Sequence, residues 1–258
     1  MVGFFIKKAF FDGWDNLIGL VVQNLGFLVI FFLGLGSLTL LGEHGMLAFG
    51  GLLVTGALLA FFAAGSSYLT WEYAHYRRGG WNGFVQGIRI SWRHALLYWF
   101  LITLALTLII FVIPFYLSYS NFLGIVLSIL LFWLFLAIVL ALPYYWPLFY
   151  SMQGDGPTKT LKKTFIILID NLFFSIFLLI HQGITAAISI FLAGLAPGAA
   201  GLLMGQSVAV KILMFKYDWL EENPDADRKA VPWDELLYEE RESVGHRTLR
   251  NMIFPWKD

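Results

Sequence analysis

Lys7-Lys8-Ala9-Phe10 through Asp15-Asn16-Leu17 decides the fold. The chain repeats this pattern 155 residues later as Lys162-Lys163-Thr164-Phe165 through Asp170-Asn171-Leu172. Halfway between, at an offset of 78, stands a blurred copy, Ile88-Arg89-Ile90-Ser91-Trp92-Arg93-His94. Trp92 there aligns with Trp14, and His94 with Asn16. Each copy leads straight into a long apolar run. Turns near residues 43, 120 and 198 keep the same spacing. Two landmarks that share one period point to internal repetition. Three helical hairpins with basic lead-ins would also look periodic, and that reading stays open.

The rest of the composition agrees with a membrane setting. Of 258 residues, 59% are hydrophobic and 13% charged, with a mean hydropathy of +0.74. A soluble domain carries roughly 25% charged residues. Apolar runs of about 20 residues, enough to cross roughly 30 Å of hydrocarbon, recur along the chain. The expected fold is therefore an all-α membrane protein with six transmembrane helices. They form three similar surface-helix-plus-hairpin units in a pseudo-threefold arrangement. The units are residues 1–78, 79–156 and 157–217, followed by a tail over 218–258. Expected spans are 16–41, 46–73, 95–116, 122–150, 171–195 and 199–215, the last continuing as helix to Glu222. Surface helices are expected over 3–15, over 81–93 and from Pro157. The first could equally be the near end of span 1. Pro143 and Pro147 should kink span 4 or end it early. The first apolar run is too long for a signal peptide and reads as an uncleaved span.

Charge sets the orientation. The three short turns carry no Lys or Arg, whereas the 75–93 connection holds Arg77, Arg78, Arg89 and Arg93. The 151–171 connection holds Lys159, Lys162 and Lys163. The positive-inside rule places both termini and both long connections in the cytoplasm. Zero net charge argues against a nucleic-acid partner. The absence of cysteine removes disulfides, thiolate nucleophiles and Cys-ligated metal or iron–sulfur sites.

Candidate site residues are polar groups at membrane depth. Asn24, His181 and Gln182 form either a ligand site or a set of helix-linking hydrogen bonds. Glu72 and Lys211, near the ends of spans 2 and 6, suggest a structural ion pair. Asn16, His94 and Asn171 occupy the corners where a surface helix meets a span. There they should cap the new helix by accepting from its free N–H groups, or else ring a polar mouth. No phosphate loop, zinc-protease helix, nucleophile elbow or paired deep carboxylates occur. No catalytic residue, metal or cofactor is therefore expected. The tail is acidic over 218–242 and then basic from His246. A helix is expected from Trp233 to Met252, with Ile253-Phe254-Pro255-Trp256 docking on the cytoplasmic face or on a partner.

Trp81-Asn82-Gly83-Phe84-Val85-Gln86-Gly87-Ile88-Arg89 through Trp92-Arg93-His94-Ala95-Leu96 resembles the central segment of YesL-like bacterial membrane proteins. Asn16-Leu17 through Asn24-Leu25 is similar to that family's first span. The likeness covers residues 1–215. It implies a helical bundle in the bacterial cytoplasmic membrane and a link to carbohydrate uptake. It brings no catalytic residues, and the long Trp-containing tail departs from it. The resulting expectation is a non-enzymatic accessory or scaffold protein that binds the bilayer and a protein partner at its cytoplasmic face or tail. The alternative is a small-solute or lipid transporter with a mid-membrane polar site.

Overall fold

The computed structural model describes residues 1–40, 44–119, 121–228, 230–245 and 247. All regular structure among them is helical. In chain order the helices are α1 (Val2–Asp15), α2 (Leu17–Thr39), α3 (Gly45–Ala74) and α4 (Trp81–Thr107). A π-helical turn, Leu108–Val112, leads on to α5 (Ile113–Ser118). Then follow α6 (Phe122–Ser151), α7 (Pro157–Asp170), α8 (Leu172–Phe191), α9 (Gly198–Glu222), α10 (Trp233–Leu236) and α11 (Tyr238–Val244). Six segments are long and apolar enough to cross a membrane: α2, α3, α4 through α5, α6, α8 and α9. This is a multi-pass integral membrane protein.

The helices meet at two equivalent corners. At Asn16, between α1 and α2, the side-chain amide donates to the Asp12 carbonyl at 2.8 Å. At Asn171, between α7 and α8, it donates to the Ile167 carbonyl at 3.0 Å. Both asparagines therefore close the helix behind them; neither side chain caps the helix ahead. That corrects the expected direction of capping. The reason is local: each of these carbonyls also accepts from the backbone N–H of the same asparagine, at 3.3 and 3.0 Å, so the side-chain amide folds back as a second donor to the turn it has just left.

The middle unit differs. The chain runs unbroken from Trp81 to Thr107, with His94 inside α4. No surface helix ends there, because His94 offers no amide to close a turn and Ser91 binds back to the Gly87 carbonyl at 2.6 Å within the continuing helix. Nor do the prolines end α6, which passes through Pro143 and Pro147 to Ser151. That stretch is buried from Pro143 to Tyr150, so packing holds it helical despite the lost donors.

α9 lies at the centre. Most of its apolar stretch is buried, against less than a third for every other span. It packs on α1, α2, α3, α6 and α8. The core is rich in aromatic residues and lies toward the basic end, where Phe5, Tyr144, Tyr145, Trp146 and Tyr150 are fully buried. The opposite ends of α2, α3, α5 and α6 bare Phe31, Phe32, Met46, Phe49, Phe115, Phe122 and Trp133. Only lipid can cover so much apolar surface without a partner.

The third hairpin is recessed. α3 and α9 run side by side in the same direction, with Thr70 Oγ1 3.0 Å from Ser207 Oγ. From that contact α3 continues 25 residues outward to Gly45, whereas α9 begins nine residues away at Gly198. At 1.5 Å per residue the difference is about 24 Å along the helices. The α8–α9 turn therefore sits beside helix and not level with the start of α3.

Candidate functional site

The recessed turn explains Asn24. Backbone polar groups at membrane depth need partners from the protein. Asn24 Nδ2 donates to the Leu195 and Pro197 carbonyls at 2.9 and 2.8 Å, and its Oδ1 accepts from Ala200 N at 2.8 Å. Ser189 Oγ accepts from Gly198 N at 2.9 Å. Gly198 has φ +64, and a Cβ there would run into the Asn24 amide. Asn24 is fully buried. It is a staple for the turn.

His181 and Gln182 lie farther along α8. The His181 ring packs edge-on to Phe5 of α1, with centroids 5.0 Å apart, and touches the face of Gly205. Gln182 Oε1 accepts from Gln206 Nε2 at 3.4 Å. Gln206, Gln182 and His181 make one polar patch, while Asn24 is bound up with the turn that starts α9. The expected trio is thus split. His181 Nδ1, Gln182 Nε2 and Gln206 Oε1 are buried without hydrogen-bond partners.

The most strongly coupled site lies at the basic end, and it includes α11. Lys8 Nζ sits 2.8 Å from Asp12 Oδ2 and 3.1 Å from Glu240 Oε2. Lys211 Nζ sits 2.6 Å from Glu240 Oε1 and donates to the Ala74 carbonyl at 2.9 Å. Lys211 thus pairs with Glu240, and the expected Glu72–Lys211 pair does not form. Glu72 lies instead against Gly79 and Gly83, on the side of α3 that faces α4. Tyr76 OH accepts from Lys8 at 2.8 Å and donates to Glu240 at 2.9 Å. Both ammonium groups also lie over its ring, 4.0 and 4.5 Å from the centroid. Tyr76 holds φ +59, a conformation uncommon for a side chain of this size, and the surrounding contacts fix it there.

Burial and charge compete in this cluster. Burial pushes the Asp12 carboxyl up to about 6, although Lys8 opposes it. Burial also disfavours the Glu240 carboxylate, but hydrogen bonds and charge from Lys211 and Lys8 outweigh it and hold that carboxyl below its usual range. Burial likewise opposes the Lys8 charge; Asp12, Tyr76 and Glu240 overcome it and hold the ammonium above its ordinary value. Two cations and two anions balance in a site closed from three helices and the tail.

The chain matches no protein-family model, no curated protein and no solved structure.

The tail docks through Leu237, one of the leucines its sequence offers for packing, and through others the sequence did not single out. Leu237 and Val244 are buried against the same core as Phe4 and Phe5. Lys7 Nζ donates to the Gly245 carbonyl at 2.8 Å, and Arg247 reaches both carboxylate oxygens of Asp15 at 2.8 Å. The expected docking segment, Ile253 to Trp256, lies outside the described residues. A signal for Lys8 and Asp12 was present. Val2, Ile6, Phe10 and Trp14 recur every four residues and are exposed. Lys8 and Asp12, also four apart, fall on the opposite side, toward the protein. Nothing in the sequence distinguished Glu240 from its acidic neighbours.

Corner three carries a smaller clamp. Lys216 Nζ donates to Asp170 Oδ2 and to Asn171 Oδ1, each at 2.8 Å. Tyr217 OH donates to Asp170 Oδ2 at 2.9 Å and accepts from Asn171 Nδ2 at 2.7 Å. Asn16 and Asn171 close helices, and His94 lies inside α4 beside the α6–α7 connection.

Proposed function

We propose that this protein is a non-enzymatic accessory or scaffold subunit of a membrane assembly. Its partner surface is the basic end of the bundle, on the cytoplasmic side by the distribution of Lys and Arg. One observation carries the reading: α11 lies on α1 and α9 with Glu240 locked between Lys8 and Lys211. That face already holds a helix by burying apolar side chains and matching charge, the two elements of helix recognition in a groove. The equivalent corners at Asn16 and Asn171 support descent from repeated units, the middle one merged into a continuous helix. The YesL-like resemblance, with its link to uptake systems, agrees with an accessory role.

The orphaned polar atoms of His181, Gln182 and Gln206 favour one other reading, a small-solute or lipid transporter. Photo-crosslinking in native membranes separates the two. A crosslinker at Arg78 or Arg89, both at the basic end, should give discrete heavier species, and one at Phe122 should give only lipid adducts. Absence of protein adducts from the basic end, together with solute flux in proteoliposomes that Gln206→Leu abolishes, would replace the first reading with the second.

A further inference from the structure

His94 aligns with Asn16 and Asn171 but does not do their work. It is 5% exposed, and its ring packs tilted against Phe149 with centroids 3.9 Å apart. Nε2 lies 3.4 Å from Thr160 Oγ1. Nδ1 is buried and makes no hydrogen bond; the Asp155 backbone faces it without completing one. His94 lines a cleft of about 340 Å³ between α4 and the α6–α7 connection, shared with Arg93, Gln153 and the 154–157 turn.

The other wall is the start of α7. Gly156 precedes the helix and no side chain caps it. Pro157 has no N–H, so the next amides of the first turn are free to point outward. A fourteen-residue helix presents the positive end of its dipole there. Arg93 lines the cleft, with its guanidinium over the Trp92 ring, and Lys159 and Lys163 reach it only through Asp155. The single acid among them, Asp155, is held by Lys159 at 2.6 Å and Lys163 at 2.5 Å. Two positive charges remain unmatched.

We propose that this cleft binds a phosphate group, with the His94 Nδ1–H, the Arg93 guanidinium and the first amides of α7 as donors. Phosphate oxygens would satisfy a buried nitrogen that the protein leaves idle, and the planar guanidinium suits them. The group belongs to an anionic lipid headgroup or to a free phosphate compound. Trp92, exposed beside the cleft, suits a position at the bilayer interface. The site is independent of the accessory role.

The test uses the full chain. In detergent, inorganic phosphate is titrated and followed by the ring resonances of the histidines. In nanodiscs, the ratio of phosphatidylglycerol to phosphatidylcholine retained is read by native mass spectrometry. Arg93→Gln and His94→Phe, which keeps a ring on Phe149, should each weaken phosphate binding or lipid preference at least tenfold. Arg77→Gln, a loss of equal charge at the same end but off the cleft, should leave both unchanged. Response in the detergent arm alone assigns a soluble phosphate, and response in the nanodisc arm alone assigns a headgroup. Response in neither, or equal loss with Arg77→Gln, overturns the site. If His94→Phe misfolds, Arg93→Gln, altered at an exposed position, still decides.

Discussion

Asn24 commits both halves of its amide to a turn 171 residues away in sequence. Replacement by Leu keeps the volume near and leaves the Leu195 carbonyl and the Ala200 N–H without partners, while the Pro197 carbonyl keeps its bond from Gly201 N. The expected loss is about 2–4 kcal/mol, read as a lower midpoint of thermal unfolding in nanodiscs. An unchanged midpoint would mean that the turn draws its hydrogen bonds from elsewhere. Asp12 gives a pH signature. Its carboxyl rises from 3.8 unfolded to about 6 folded, so between these values the folded chain holds a proton that the unfolded chain has lost. Stability therefore falls as pH rises through that window, by up to about 3 kcal/mol from this group. Asp12→Asn should flatten that part of the stability–pH curve, and an unaltered slope would remove Asp12 as its source. At this scale the sequence was half legible. Asn24 stood out because an amide in an apolar run needs a reason. Its partners did not, because they are backbone atoms of a turn whose depth depends on how α3 and α9 slide past each other.

At the scale of elements, α11 is the least expected. Its seven residues contain three glutamates and would be a solvated helix on composition alone. It docks because Glu240 meets two lysines that would otherwise have Asp12 as their shared counter-ion. Breaking a buried pair from one side costs about 3–5 kcal/mol, more than a short docked helix can absorb. Glu240→Gln should therefore raise amide hydrogen exchange over 233–245 at least tenfold, with Glu239→Gln, at an exposed neighbour, as the silent control. Equal protection in both variants would show that Leu237 and Val244 suffice. The sign with pH is opposite to that of Asp12. Glu240 titrates below its ordinary 4.5, so docking is fully present above that value and is lost as pH falls through the depressed one. The six apolar helices were readable from length and hydropathy. The unbroken α4 was not, because the basic, aromatic composition of 81–93 is the same whether the helix bends at His94 or runs on.

For the whole molecule, sequence period and three-dimensional position part company. The turns near 43, 120 and 198 are evenly spaced along the chain, and even spacing suggests three equal depths. The third is drawn toward the basic end because Lys211 and Lys216 on α9 are anchored there, to Glu240 and to Asp170. Anchoring fixes the far end of a helix, and its length then sets where the turn falls. The chain has no cysteine, so single cysteines can map this directly on an otherwise silent background. With a membrane-impermeant maleimide added from the non-cytoplasmic side of intact cells, His44→Cys and Asn121→Cys should label fully. Arg78→Cys and Lys162→Cys should label only after permeabilisation. Ala193→Cys, exposed in the recessed turn, decides the geometry. Buried in hydrocarbon, it should react at least tenfold more slowly than His44→Cys from either side, because the thiolate that attacks maleimide forms only where water reaches it. Its labelling should rise to match only when detergent strips the lipid. Prompt reaction in intact membranes would place all three turns at one surface, and the even sequence spacing would then hold in depth as well.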